Sequence, residues 1–198
     1  MSQLSQLNEE IIRCQDCELS RQRLKAVPGE GSESAAIMFV GEAPGWHEDQ
    51  QGRPFVGPAG HFLDELLGSI GMRRQDVYIA NVIKCRPPQN RDPLPSELKA
   101  CRKWLDRQIE LIQPRMIVTL GRYSLAQLLP GETIAKAHGK AKKKDGIIYF
   151  AMYHPAAALH QGSLRKVIME DMLKIPVIMA QEAQVKAEAP QPEQLSMF

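Results

Sequence analysis

No stretch of the 198 residues is apolar for long enough to cross a bilayer, which excludes a membrane-spanning helix. The opening residues MSQLSQLNEEII lack a basic segment followed by an apolar core, so no secretory leader is read there and the chain is expected in the cytoplasm. Net charge is nearly absent: +2, from 25 Lys and Arg against 23 Asp and Glu. Overall charge therefore does not by itself announce a nucleic-acid binder. No internal repeat is found, which excludes solenoids and propellers. Cysteine is scarce, four residues in all. In a reducing compartment such cysteines are more often metal ligands or reactive thiols than disulfides. With 43% hydrophobic and 24% charged residues, the chain reads as one globular domain over residues 1–180.

The hydrophobic pattern supplies the architecture. Residues 3–13 read as an amphipathic helix running into Cys14 and Cys17. Short apolar runs at 36–40, 77–79, 116–118 and 147–152 read as buried strands. Helices are expected between them. Leu63, Leu66, Leu67 and Ile70 recur at helical spacing, 96–112 lies between Pro95 and Pro114, and two more are read at 121–129 and 163–180. Alternating strands and helices predict an α/β fold with a mostly parallel, four-stranded central sheet and helices on both faces. In such sheets ligands bind beyond the carboxyl ends of the strands. Glu42, Asn81 and His154 each fall just past a predicted strand, and together they form a candidate site.

Cys14-x-x-Cys17 joins the distant Cys85 and Cys101 in a candidate tetrathiolate site that accounts for every cysteine. Zinc accepts four thiolates but more usually takes paired CxxC knuckles. One CxxC with two scattered cysteines suits a [4Fe–4S] cluster as well. Spacing does not choose between them.

The segments Gly41-Glu42-Ala43-Pro44-Gly45, Arg53-Pro54-Phe55-Val56-Gly57, Asn81-Val82-Ile83-Lys84-Cys85-Arg86-Pro87-Pro88 and His154-Pro155-Ala156-Ala157-Ala158-Leu159 resemble the family 4 uracil-DNA glycosylases. They stand in that family's order, with its four cysteines in register, and the likeness covers about residues 10–178. The resemblance implies a monofunctional enzyme that extrudes uracil from DNA and hydrolyses its glycosidic bond. It also implies a [4Fe–4S] cluster on Cys14, Cys17, Cys85 and Cys101, and a monomer of the bacterial cytoplasm, associated with the nucleoid. Phe55 is then the platform under the base, Asn81 the amide that reads uracil, and His154 the donor to O2 as negative charge develops. Glu42 is expected to position water and stabilise the cationic sugar. Ala43 and Glu48 are expected to line the uracil pocket, Glu48 where a thymine methyl would clash, and Leu159 to enter the gap left in the duplex. Trp46-His47 departs from the acidic pair common after this glycine-rich turn, and His160 stands where arginine is frequent. The rivals are a metal-stabilised DNA-binding module without catalysis and a glycosylase for another deaminated base such as hypoxanthine.

Basic residues add a binding edge. Lys84, Arg86 and Arg91 surround Cys85 and are expected to meet phosphates, and Lys136 to Lys144 form a second candidate edge or a solvated loop. Residues 181–198 read as a tail. Its last five residues resemble the bacterial sliding-clamp-binding motif, with Gln194, Leu195, Met197 and Phe198 as the docking residues.

Overall fold

A computed structural model describes residues 1–188. The strands are β1 (Glu30–Gly31), β2 (Ile37–Gly41), β3 (Tyr78–Asn81), β4 (Met116–Leu120), β5 (Ala141–Lys144) and β6 (Ile147–Met152). The helices are α1 (Gln3–Arg13), α2 (Leu19–Gln22), α3 (Trp46–Gln51), α4 (Pro58–Ser69), α5 (Pro95–Ile112), α6 (Arg122–Leu128), α7 (Ile134–Ala137), α8 (Pro155–His160) and α9 (Ser163–Glu188). Among the described residues the strands form one sheet in the order β1-β3-β2-β4-β6-β5.

The four strands read from the sequence are its parallel centre, β3-β2-β4-β6. Two antiparallel edge strands complete a six-stranded sheet where four strands were expected. β1 has only two residues, too few for a periodic signal. β5 is Ala-Lys-Lys-Lys with every residue exposed, so hydrophobic periodicity is blind to it. Its lysines suit an edge, where charge discourages pairing with another sheet. Lys142 and Lys143 already meet Glu132 and Glu182 at 2.9 Å, which leaves the lysine stretch less free for phosphates than its composition implied.

The central strands are covered on both faces, and alternate residues face opposite layers. Met38, Val40, Ile117 and Tyr149 join Leu7, Ile11, Leu105 and Leu125 on one side, the layer that also holds the cysteines. Ile37, Phe39, Val118 and Phe150 join Phe62, Leu66, Ile168 and Met172 on the other. Truncating a fully buried aromatic such as Phe39 to Ala costs about 3–5 kcal/mol. α9 continues to Glu188, past the point where the tail was read to begin, and carries Pro176 within it. Among the described residues no helix is long and apolar enough to cross a membrane. The clamp-like residues Gln194, Leu195, Met197 and Phe198 lie outside the described residues.

Candidate active site

All four parallel strands deliver a residue to one cavity of about 740 Å3 at their carboxyl ends. β2 runs into Glu42 and Ala43, β3 ends at Asn81, β4 leads through Gly121 to Arg122, and β6 leads to His154. Glu48 and Phe55 line the same space, so the cavity gathers every residue expected to touch uracil or act on it.

Asn81 is 2% exposed, and its Oδ1 has no hydrogen-bond partner. An unpaired buried acceptor costs about 1–3 kcal/mol, so it is retained where a ligand supplies the donor. Gly41 makes room for it: a Cβ there would strike Asn81 Oδ1 and lie 2.6 Å from Phe55 Cζ. Phe55 is 5% exposed and its ring stacks on His154 with centroids 5.4 Å apart. The ring of Phe55 is thus both buried in the core and part of the cavity lining.

His154 caps the N-terminus of α8, its Nδ1 accepting from the Ala156 amide at 3.1 Å. Burial pushes its pKa down to about 4, opposed by the nearby Glu48 carboxylate. The imidazole is therefore neutral at pH 7, and with Nδ1 an acceptor the proton sits on Nε2. Glu42 has its pKa raised by burial and then by Asp92, while Arg122 pulls it back. Glu48 is not a solvated acid. Its carboxylate accepts from the amides of Val56 (2.8 Å), Gly57 (3.0 Å) and Gly45 (3.1 Å), tying the two loops of the pocket together.

The cationic residues divide. Lys84 corrects the phosphate expectation: it is 1% exposed, and its Nζ donates inward to the Asn81 carbonyl at 2.8 Å and Gln108 Oε1 at 2.6 Å. Desolvation lowers its pKa to about 8. Arg91 lines the cavity, but Glu97 holds both of its terminal nitrogens, at 2.6 and 2.9 Å. Arg86 donates to Asn90 Oδ1. Leu159 is 50% exposed at the end of α8, outside the cavity lining but next to His160, which lines it. Arg122 was missed. It stands at the mouth paired with Asp92 at 2.7 Å, and the rule of strand ends, applied to β4 as to the others, points to it.

The four cysteines line a second, small cavity with Arg23, Lys84 and Trp104. Arg23 Nη1 donates to Cys85 Sγ at 2.8 Å and the Lys84 amide to Cys101 Sγ at 3.3 Å. The buried Trp104 Nε1 has no acceptor. Burial raises the thiol pKa of Cys85 and pushes that of Cys101 to about 12, so thiolates here need cationic partners. Among the described residues no three His, Cys, Asp or Glu side chains converge to hold a single metal ion.

Residues 28–174 match the family model of the uracil DNA glycosylase superfamily. A type-4 uracil-DNA glycosylase of Sulfurisphaera tokodaii is 50% identical over 185 residues, covering 88% of this chain and 84% of that protein. Those of Saccharolobus solfataricus and Archaeoglobus fulgidus are 47% and 46% identical, covering 88% of this chain and 86% and 92% of their own. Four strand ends around one pocket, four cysteines around another and this likeness over most of the chain agree: the chain belongs to the uracil-DNA glycosylase superfamily and, within it, to the type-4 uracil-DNA glycosylases, a family of DNA glycosylases.

Proposed function

We propose that this chain hydrolyses the bond joining uracil to deoxyribose in DNA, leaving an abasic site, with the strand-end pocket receiving the flipped base. The observation that carries the reading is the buried, unpartnered Oδ1 of Asn81. Uracil N3–H supplies the missing donor, and the amide nitrogen donates to O4. Cytosine presents the reverse pattern and leaves the buried acceptor unpaired, a mismatch worth several kcal/mol. Stacking on Phe55 fixes the plane of the base.

Breaking the glycosidic bond sends an electron pair into the uracil ring and leaves positive charge on the sugar. Neutral His154 offers its Nε2–H where O2 becomes anionic, a donor already aligned by the Ala156 amide. One such donor is typically worth about 10²–10³-fold in rate. Glu42, as the carboxylate, faces the sugar cation and orients the attacking water, and its raised pKa suits it to accept that water's proton. Glu48 acts by holding Gly45, Val56 and Gly57, which shapes the wall against the thymine methyl. Ala43 lines the same wall without filling it. Arg91 and Arg122, which line the cavity, and Arg86, bonded to the cavity-lining Asn90, are the cations for phosphates, and Leu159 is the side chain that enters the duplex.

The cysteine cavity suits a [4Fe–4S] cluster held by Cys14, Cys17, Cys85 and Cys101. All four cysteines line this one cavity, which agrees with the ligand set that the resemblance implies, and Trp104, whose buried Nε1 has no acceptor, lines it too. When bound, the cluster supplies iron–thiolate bonds that cross-link the α1–α2 connection, the segment after Asn81 and α5; the reaction runs without it changing redox state. The biological substrate is uracil from deaminated cytosine, and the chain acts as a monomer in cytoplasmic base-excision repair. Residues 194–198 tether it to a sliding clamp, so their deletion abolishes clamp binding and leaves oligonucleotide cleavage intact; equal clamp affinity in the truncated protein would sink that part.

The test is alkali-revealed cleavage of oligonucleotides carrying one uracil, cytosine, thymine or hypoxanthine. Cleavage confined to uracil supports the assignment. Preference for hypoxanthine reassigns the base, and no cleavage by cluster-loaded protein turns the chain into a binding module.

A further inference from the structure

Phe55 sits at a backbone φ of +52°, a left-handed conformation that a bulky residue rarely adopts. Such strain persists only where the surroundings over-determine it. Here the surroundings converge on one guanidinium. Arg74, in the turn Arg74–Asp76 before β3, has a side chain only 18% exposed. Its Nη1 donates to the Phe55 carbonyl at 3.0 Å and to Asp64 Oδ1 of α4 at 3.0 Å. Its Nη2 donates to the Pro54 carbonyl, and its Nε to Glu30 Oε1 of β1 at 3.3 Å. Glu30 in turn takes Arg53 in a two-pronged pair at 2.7 and 2.8 Å, from the same loop as Phe55. Gly60 closes the remaining side, because a Cβ there would run into the Phe55 carbonyl.

We propose that Arg74, anchored by Glu30 and Asp64, is a positioning residue that holds the strained Phe55 backbone so that its ring presents a fixed face to the flipped base. The inference rests on the reading of Phe55 as the uracil platform. Arg74 touches no substrate and acts through two consecutive carbonyls. The planar fork is essential: an ammonium is a point charge and cannot serve two carbonyls and two carboxylates at once. The two-residue edge strand β1 is the element that delivers Glu30 to this arrangement.

The experiment is a double-mutant cycle on cluster-loaded protein, with visible absorbance and melting temperature recorded for every variant. Single-turnover uracil excision at saturating enzyme is measured for Arg74→Ala, Phe55→Ala and the pair. Arg74→Ala is expected to slow excision about tenfold or more, since small misplacements near the reacting centre are costly. In the Phe55→Ala background it changes the rate by less than about twofold, because coupled residues are not additive. Glu30→Gln, a milder change that leaves both carbonyl bonds in place, covers the case in which Arg74→Ala fails to fold; it lowers the rate about threefold, again only while Phe55 is present. Equal factors in both backgrounds, or an unchanged rate in Arg74→Ala, overturn the proposal while the platform stands. If Phe55→Ala alone excises uracil at the full rate, the platform reading falls, and the role of Arg74 falls with it.

Discussion

The strand-end pocket and the cysteine cavity share the segment from Asn81 to Cys85 and are built on opposite terms. The pocket is open, and its unsatisfied atom is an acceptor, Asn81 Oδ1. The cysteine cavity is closed in, and its unsatisfied atom is a donor, Trp104 Nε1. On the proposed reading an N–H donor enters the one and an electron-rich acceptor the other. Lys84 joins them, its amide on Cys101 Sγ and its ammonium on the Asn81 carbonyl, so the cysteine side braces the strand end that carries Asn81.

The largest effect is expected on the cysteine side. Cys101→Ala removes one of the four proposed cluster ligands from a buried site, and we expect loss of visible absorbance with at least about 3 kcal/mol of stability. For a chain of this size that is a fall of roughly 6–12 °C in a thermal melt. A cluster-free variant melting with the wild type would dissolve the distinction between the two cavities. Lys84→Met follows, at about 2–4 kcal/mol, since it leaves the Asn81 carbonyl and Gln108 Oε1 unpaired inside the protein. Its DNA affinity is expected to keep the same dependence on salt. A slope shallower by about one would restore Lys84 to the phosphates.

On the pocket side, Glu42→Gln is expected to slow excision about 10²-fold and to change the acid limb of the pH–rate profile. The Glu42 carboxyl has a pKa raised above 4.5, so its active, ionised form is lost as pH falls through that raised value. His154 stays neutral down to about 4. The wild-type limb therefore belongs to Glu42, and in the variant it moves down toward pH 4. An unmoved limb assigns it to another group. The smallest effect is Arg122→Ala, a cation 65% exposed at the mouth. It is expected to weaken DNA binding up to about tenfold and to lower the salt slope by about one, with little change in the single-turnover rate.

Much of this was legible in the sequence, and the failures have physical causes. The parallel strands announced themselves as apolar runs because both faces of the sheet are covered, and the rule of strand ends carried Glu42, Asn81 and His154 to one place. β5 escaped because its signal is charge, and charge reads as loop. Lys84 was misread for the same reason: a lysine between Asn81 and Cys85 looks solvated until the partners for its ammonium are known, and Gln108 lies 24 residues away. Glu48 was seen as pocket wall, but its bonds from the Val56 and Gly57 amides follow the left-handed Phe55, which no spacing betrays. The hold of Arg74 on Phe55 spans 19 residues and has no periodicity to expose it.

The most direct test of the account is single-turnover uracil excision by cluster-loaded wild type and Asn81→Ala, side by side, with the visible spectrum and melting temperature of each. The account predicts that Asn81→Ala keeps the spectrum, melts no lower than the wild type because an unpaired buried acceptor is gone, and loses about 10²–10³-fold in rate. Excision at an undiminished rate would contradict it and move the reading of uracil away from Asn81.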